Sequence, residues 1–147
     1  MTEKEKRLLF QDLVARLPYT PMVNLRGKAG YDRKLVSVHR YNTRSEFEVV
    51  VNSDDDEDYM PHNFEIDIVK PYLRPMSSMT NDELKEFVSF TSQSMRRFIC
   101  ESTNTDHWYN AYEEEDWLDA HHFDYRGLIE KGLALPAPDG MYNEQNN

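Results

Sequence analysis

The chain has 147 residues, 39% of them hydrophobic and 30% charged, which fits a single globular unit or two small lobes rather than a disordered tail. No run of residues reaches the roughly 18 apolar positions of a membrane helix, and the charged N-terminus is unlike a signal peptide, so a cytoplasmic protein with no membrane partner is expected. A lone cysteine, Cys100, excludes an internal disulfide or a zinc site built from several thiolates.

Residues 3–17 predict a helix, because Leu9, Phe10, Leu13, Val14 and Leu17 recur at the spacing of one helical face and Pro18 follows. The period then changes. In residues 46–51, Phe47, Val49 and Val51 alternate with other side chains, and in residues 63–68 Phe64, Ile66 and Ile68 do the same, so both predict half-buried strands. Residues 22–25 and 34–40 are further strand candidates, parted by Gly27 and Gly30 at a turn, and residues 41–45 suit a hairpin loop. The acid run 54–58 predicts a solvated loop. Pro71 and Pro75 each remove a ladder donor, so residues 70–76 read as a connector rather than a central strand.

Thr80 and Glu83 then form a capping-box pattern that opens a helix at Asn81, with Leu84, Phe87, Val88, Thr91, Met95, Phe98 and Ile99 on its apolar stripe. Thr105 or Asp106 can cap another helix carrying Trp108, Tyr109, Tyr112, Trp117 and Leu118 inward and residues 113–116 outward. Residues 124–131 predict a short turn closed by Gly132, residues 133–136 an extended segment, and residues 143–147 a frayed end. The sum is an α+β protein: an N-terminal helix and a small antiparallel sheet or SH3-like barrel over residues 1–75, then a helical lobe over residues 76–147.

Charge divides unevenly. Residues 1–75 carry 12 basic and 13 acidic side chains, whereas residues 76–147 carry 5 and 14. Between residues 16 and 44 stand seven basic side chains, Arg16, Arg26, Lys28, Arg33, Lys34, Arg40 and Arg44, against the single acid Asp32. A basic and an acidic part can complement each other within one molecule or between copies. Arg26, Arg33, Arg40, Tyr41 and Arg44 are the leading candidates for a binding surface, since arginine and tyrosine dominate interface energetics. The partner expected is a protein or a second copy of the chain. Nucleic acid is the alternative, opposed by a net charge of −10.

Chemistry-bearing clusters are few. His121 and Asp124 stand three apart and can share a metal ion, yet adjacent His122 points elsewhere and no zinc-protease spacing occurs, so a metal-assisted hydrolase is a minor expectation and no cofactor is called for. The competing reading has the histidines closing a helix end, Asp124 capping a turn and Arg126 bridging to an acid. The 54–58 acids lack the glycine and terminal glutamate of a calcium loop. Cys100 falls on an apolar stripe, and neither a nucleophile elbow nor a phosphate-binding glycine loop is present.

The block Pro71-Tyr-Leu-Arg-Pro-Met-Ser-Ser-Met-Thr80, and the block running from Trp117 through His121-His122-Phe-Asp-Tyr-Arg-Gly to Leu135 together with Met141-Tyr142, resemble a family of small uncharacterised proteins of gut bacteria, prophages and other mobile elements. The resemblance covers about residues 69–142. It implies a setting, a mobile genetic element or its host, and brings no catalytic residues with it.

Overall fold

The computed structural model describes residues 1–40, 47–52, 62–89 and 113–142. Helix α1 spans Glu3–Arg16. Thr2 caps it: the Glu5 amide donates to the Thr2 hydroxyl at 3.2 Å, and the Glu5 carboxylate accepts from the Thr2 amide at 2.7 Å. Pro18 sits within a 3-10 turn, Leu17–Tyr19, that tightens the helix end. Strands follow at Met22–Leu25 (β1), Asp32–Arg40 (β2), Phe47–Val51 (β3), His62–Glu65 (β4), Val69–Leu73 (β5) and Leu135–Pro136 (β6). Residues 81–89 form α2 and residues 113–120 form α3.

The described strands make one sheet in the order β4-β3-β2-β1-β5-β6, antiparallel except for the β5–β6 pair, so the fold is α+β. The sheet is open and is not the barrel that was one of the two expectations. Its curl is nevertheless strong. The strand β4 predicted through Ile68 stops at Glu65, and a three-residue 3-10 turn, Ile66–Ile68, carries the chain to β5, four places away in the order. Four residues reach at most about 14 Å, whereas four strand spacings in a flat sheet need about 19 Å, so the sheet must bend for the turn to bridge it. Closure with β4 is prevented because the outer edge of β5 is already taken by β6.

β5 overturns the reading of residues 70–76 as a connector. Its position between β1 and β6 is possible because of the phase of its backbone. The Arg26 amide donates to the Ile68 carbonyl, and the Ala137 amide donates to the Leu73 carbonyl. Even-numbered residues of β5 therefore turn their peptide groups to β1 and odd-numbered ones to the β6 side. Pro71, opposite Val23, falls in a pair that exchanges no hydrogen bonds, and on its other side β6 has not yet begun. The missing donor costs nothing there.

One core joins α1 to the sheet. Leu9 and Leu13 pack with Val23, Leu25, Leu35, Phe47, Val49, Val51, Ile66, Val69 and Leu73, and Leu128, Leu133 and Ala134 from beyond residue 75 complete it. The buried face of α1 is centred on Leu9, Asp12, Leu13 and Arg16, so Val14, expected inside, is half-exposed. A smaller cluster of Trp117, Leu118 and Phe123 takes in Phe87 of α2, with the Phe87 and Trp117 rings 5.5 Å apart. Leu84 and Val88 of the predicted stripe are half-exposed. The capping box at Thr80 and Glu83 is present, with bonds of 3.0 and 3.2 Å. The hairpin loop 41–45, the acid run 54–58, the rest of the α2 stripe with Cys100, the 105–106 cap with Trp108, Tyr109 and Tyr112, and the terminal residues 143–147 lie outside the described residues.

Strands β1 and β2 are joined by residues 26–31, which open with a turn at Arg26 (φ 61°) and Gly27 (φ 66°) closed by the Lys28 amide on the Leu25 carbonyl at 3.3 Å; the Tyr31 amide then donates to the Lys28 carbonyl at 3.3 Å. Two successive positive φ values with the first of these bonds fit a type I′ turn. A Cβ on Gly27 would meet nothing within 4 Å. Gly27→Ala should therefore cost about 1 kcal/mol from backbone strain alone, read as a lower denaturation midpoint at unchanged slope.

Candidate functional site

The histidine cluster is a piece of scaffold. His121 closes α3: its Nδ1 lies 2.8 Å from the Trp117 carbonyl oxygen, which can only accept, so this nitrogen carries the proton. Its ring stacks on Trp117 with centroids 4.0 Å apart. Both Asp124 oxygens are occupied, one by the Leu128 amide at 2.8 Å and one by the Ile129 amide at 2.9 Å. Among the described residues, no three His, Cys, Asp or Glu side chains converge as a metal site.

Arg126 does bridge to acids, and what it bridges to is the centre of the molecule. The Asp12 carboxylate, fully buried, accepts from Arg16 Nε at 2.9 Å and from Arg126 Nη1 at 2.7 Å. Arg16, also fully buried, donates through Nη2 to the Phe123 carbonyl at 2.6 Å and lies 3.9 Å from Asp119. Asp119 sits 3.6 Å from Arg126 and accepts from the Tyr125 hydroxyl at 2.9 Å. The Arg126 guanidinium covers the Tyr125 ring at 4.4 Å. Two carboxylates and two guanidiniums thus cancel inside the protein. Burial still pushes the Asp119 carboxyl above its ordinary range, against the pull of Arg16, Tyr125 and Arg126.

Sequence reasoning misses Asp12, and places Arg16 only among the seven basic side chains of residues 16–44. The signal was there: residues 9, 12, 13 and 16 recur on one face of α1, so a charged pair stood at two of its four inward positions.

A second anchor ties α2 to the strand end. Arg74 donates to both oxygens of Glu83, each at 2.7 Å, while its guanidinium lies 4.2 Å from the centre of the Phe123 ring. The Arg74 backbone exchanges bonds with His122 and Asp124. Glu83 serves both the arginine and the helix cap, and the Arg74 fork holds its carboxyl down at about 2.

The proposed basic surface is split by β2. Arg33, opposite Val23, stands near the start of that strand and Arg40, opposite Phe47, at its end, seven residues or about 23 Å away. Tyr41 and Arg44 lie outside the described residues. The β1–β2 turn retains a concentration of charge. Arg26 and Lys28 are exposed, and the Tyr31 ring, 48% exposed, has Lys28 Nζ at 6.0 Å and the Arg33 guanidinium at 5.9 Å from its centre. Arg33 is held in place by the Asp32 carbonyl at 2.8 Å. The Asp32 carboxylate accepts from Asn24 and from the Tyr72 hydroxyl, both at 2.8 Å.

Compared with protein-family models, curated proteins and solved structures, the chain matches none. No helix among the described residues is long and apolar enough to cross a membrane.

Two measurements test these assignments. Asp12→Ala should lower unfolding free energy by about 3–5 kcal/mol, because it leaves two arginines facing each other without their acid, whereas truncating the exposed Glu3 should change it by less than about 1 kcal/mol. The Glu83–Arg74 pair should titrate in acid. A depressed carboxyl stabilises the fold fully above its unfolded value of 4.5 and loses that contribution as pH falls to about 2. Glu83→Gln, which keeps the cap, should therefore be less stable than the parent at pH 6, with the gap closing toward pH 2 in denaturant titrations.

Proposed function

We propose that the protein is a non-catalytic interaction module of a mobile genetic element or its host, binding an acidic protein surface through the β1–β2 turn. The observation that carries this reading is the tip of that turn. Arg26 adopts a left-handed backbone conformation, φ 61°, where glycine or asparagine would be under less strain, and it does so beside a tyrosine flanked by two cations. The Arg26 amide is tied to the Ile68 carbonyl while its side chain is exposed, and strain of this kind collects where a side chain must be presented. Tyr31 supplies apolar area with little rotamer entropy to lose, and the surrounding cations supply attraction for carboxylates. His121, Asp124 and Arg126 are spent on holding the fold, which weakens the hydrolase reading.

Arg26→Asn separates function from fold. It should leave the protein as stable as the parent or more stable by up to about 1 kcal/mol, while weakening partner binding. Tyr31→Ala should weaken it about tenfold or more. The test is affinity capture from the native host with the parent chain and both variants, followed by affinity measurement on the purified partner. Light scattering of the chain alone reports whether a second copy is the partner. Capture of an acidic protein that both variants lose supports the reading. Equal capture by all three removes the turn from it, and retention of nucleic acid that falls steeply with salt would replace the partner class with the alternative.

A further inference from the structure

The segment after β6, residues 137–142, adds nothing to the buried core, whose last member before it is Ala134. It is anchored at both ends instead. The Ala137 amide donates to the Leu73 carbonyl at 2.8 Å. The Tyr142 hydroxyl accepts from the Met22 amide at 2.8 Å and donates to the Tyr72 carbonyl at 2.9 Å.

Those last two groups belong to one ladder. β1 and β5 pair with Val23 opposite Pro71, Asn24 opposite Lys70 and Leu25 opposite Val69, and the Arg26 amide bonds the Ile68 carbonyl, so the next hydrogen-bonded pair in this register is Met22 with Tyr72. The pairing stops at Val23, and the Tyr142 hydroxyl stands between the two groups that would continue it. Withdrawing the hydroxyl orphans neither, because the Met22 amide can close directly on the Tyr72 carbonyl. The segment thus has a latched and a released arrangement, both with these backbone groups satisfied and separated by few contacts.

His122 lies against the latch. It is 5% exposed, has φ 62°, and its ring centre is 3.7 Å from that of Tyr142. Its Nδ1 has no hydrogen-bond partner among the described residues, so no acceptor is arranged there for a second proton. The charges acting on the ring are Arg16 from α1, His121 after α3 and Arg74 after β5, none of them negative. Asp119, whose backbone carbonyl accepts from the His122 amide, has its carboxylate bonded to Tyr125 and set beside Arg16 and Arg126. Asp82, Glu83, Glu86 and Asp139 line the hollow beside Arg74, with Glu83 bonded to that arginine. Burial above all, then the neighbouring cations, hold the imidazole down at about 3 from an ordinary 6.5.

We propose that residues 137–142 are an acid-released strap, latched near neutrality by Tyr142 between β1 and β5 and freed when His122 takes up a proton that its buried place among Arg16, Arg74 and His121 does not accommodate. The device is separate from the β1–β2 turn. A base held below its ordinary value stabilises the latched state fully above pH 6.5, and that contribution is lost as pH falls toward 3. Release therefore begins in mild acid, because the open form takes up the proton first.

Hydrogen exchange of the full chain, read by NMR and corrected for the intrinsic rate at each pH, gives the opening equilibrium at individual amides. For Ala137 it should rise about tenfold between pH 7.5 and 5.5 and about thirtyfold by pH 5, while Met22, paired anew with Tyr72, stays protected. His122→Asn, a residue that tolerates the left-handed backbone, should flatten that profile. Tyr142→Phe keeps the stack and loses the hydroxyl, and should raise Ala137 opening about tenfold at pH 7.5. An Ala137 opening equilibrium unchanged from pH 7.5 to 5, or a rise that persists undiminished in His122→Asn, would overturn the proposal. So would Ala137 opening no more readily than Met22, which marks unfolding of the whole sheet, or no response to Tyr142→Phe.

Discussion

Everything in this molecule is arranged around an acid that never meets water. Asp12 is fully buried, and the energy of stripping a carboxylate of its hydration is several kcal/mol, recovered only when its oxygens are well bonded. One guanidinium comes from its own helix and the other from residue 126; the Phe123 carbonyl accepts from Arg16 Nη2, Asp119 lies 3.9 Å from the same nitrogen, and Arg16 Nη1 has no hydrogen-bond partner among the described residues. Such a cluster contributes less to net stability than an apolar core of equal volume. Its effect is on geometry. Only one rotation and one depth of α1 brings Asp12 and Arg16 opposite Arg126 and Asp119, so the network selects that seating among the many that would bury Leu9 and Leu13.

A second consequence concerns where the reactive residue types have gone. Asp124 holds two amides, His121 holds a carbonyl, Tyr125 holds Asp119, and Arg74 holds both a carboxylate and an aromatic face. The stretch richest in catalytic residue types is thus the hinge on which helices and sheet are assembled. The exposed charge of Arg26 and Lys28 lies outside that stretch, at the strained turn after β1.

Local rules carried the reading of the sequence a long way. The alternation in β3, the glycine turn after β1, the capping box at Thr80 and the role of Asp124 all depend on residues within a few positions of one another. Failures came where the deciding partner is remote. Pro71 looks fatal to a strand until the phase of hydrogen bonding to β1 and β6 is known, and that phase is set by residues 26 and 137. Arg16 looks like surface charge until a partner more than a hundred residues away is placed against it. A cavity of about 690 Å³ beside Arg74 was invisible for the same reason, because its walls come from segments around residues 74–86, 120–122 and 136–142. Of the predicted binding surface, the cluster at the turn could be read from composition, but not its separation from Arg40 along β2.

The bond between Arg16 and the Phe123 carbonyl, and that between Met22 and Tyr142, join positions 107 and 120 residues apart. Until such long loops close, α1 carries an ionised pair on the face it must bury, and its docking onto the strands lacks the counter-charges that make it tolerable. Contacts so distant in sequence form late, because the entropy of closing the loop is lost before the contact is gained. It also makes the last step all-or-none, since the early half of the chain gains its proper seating only when the late half arrives to neutralise it.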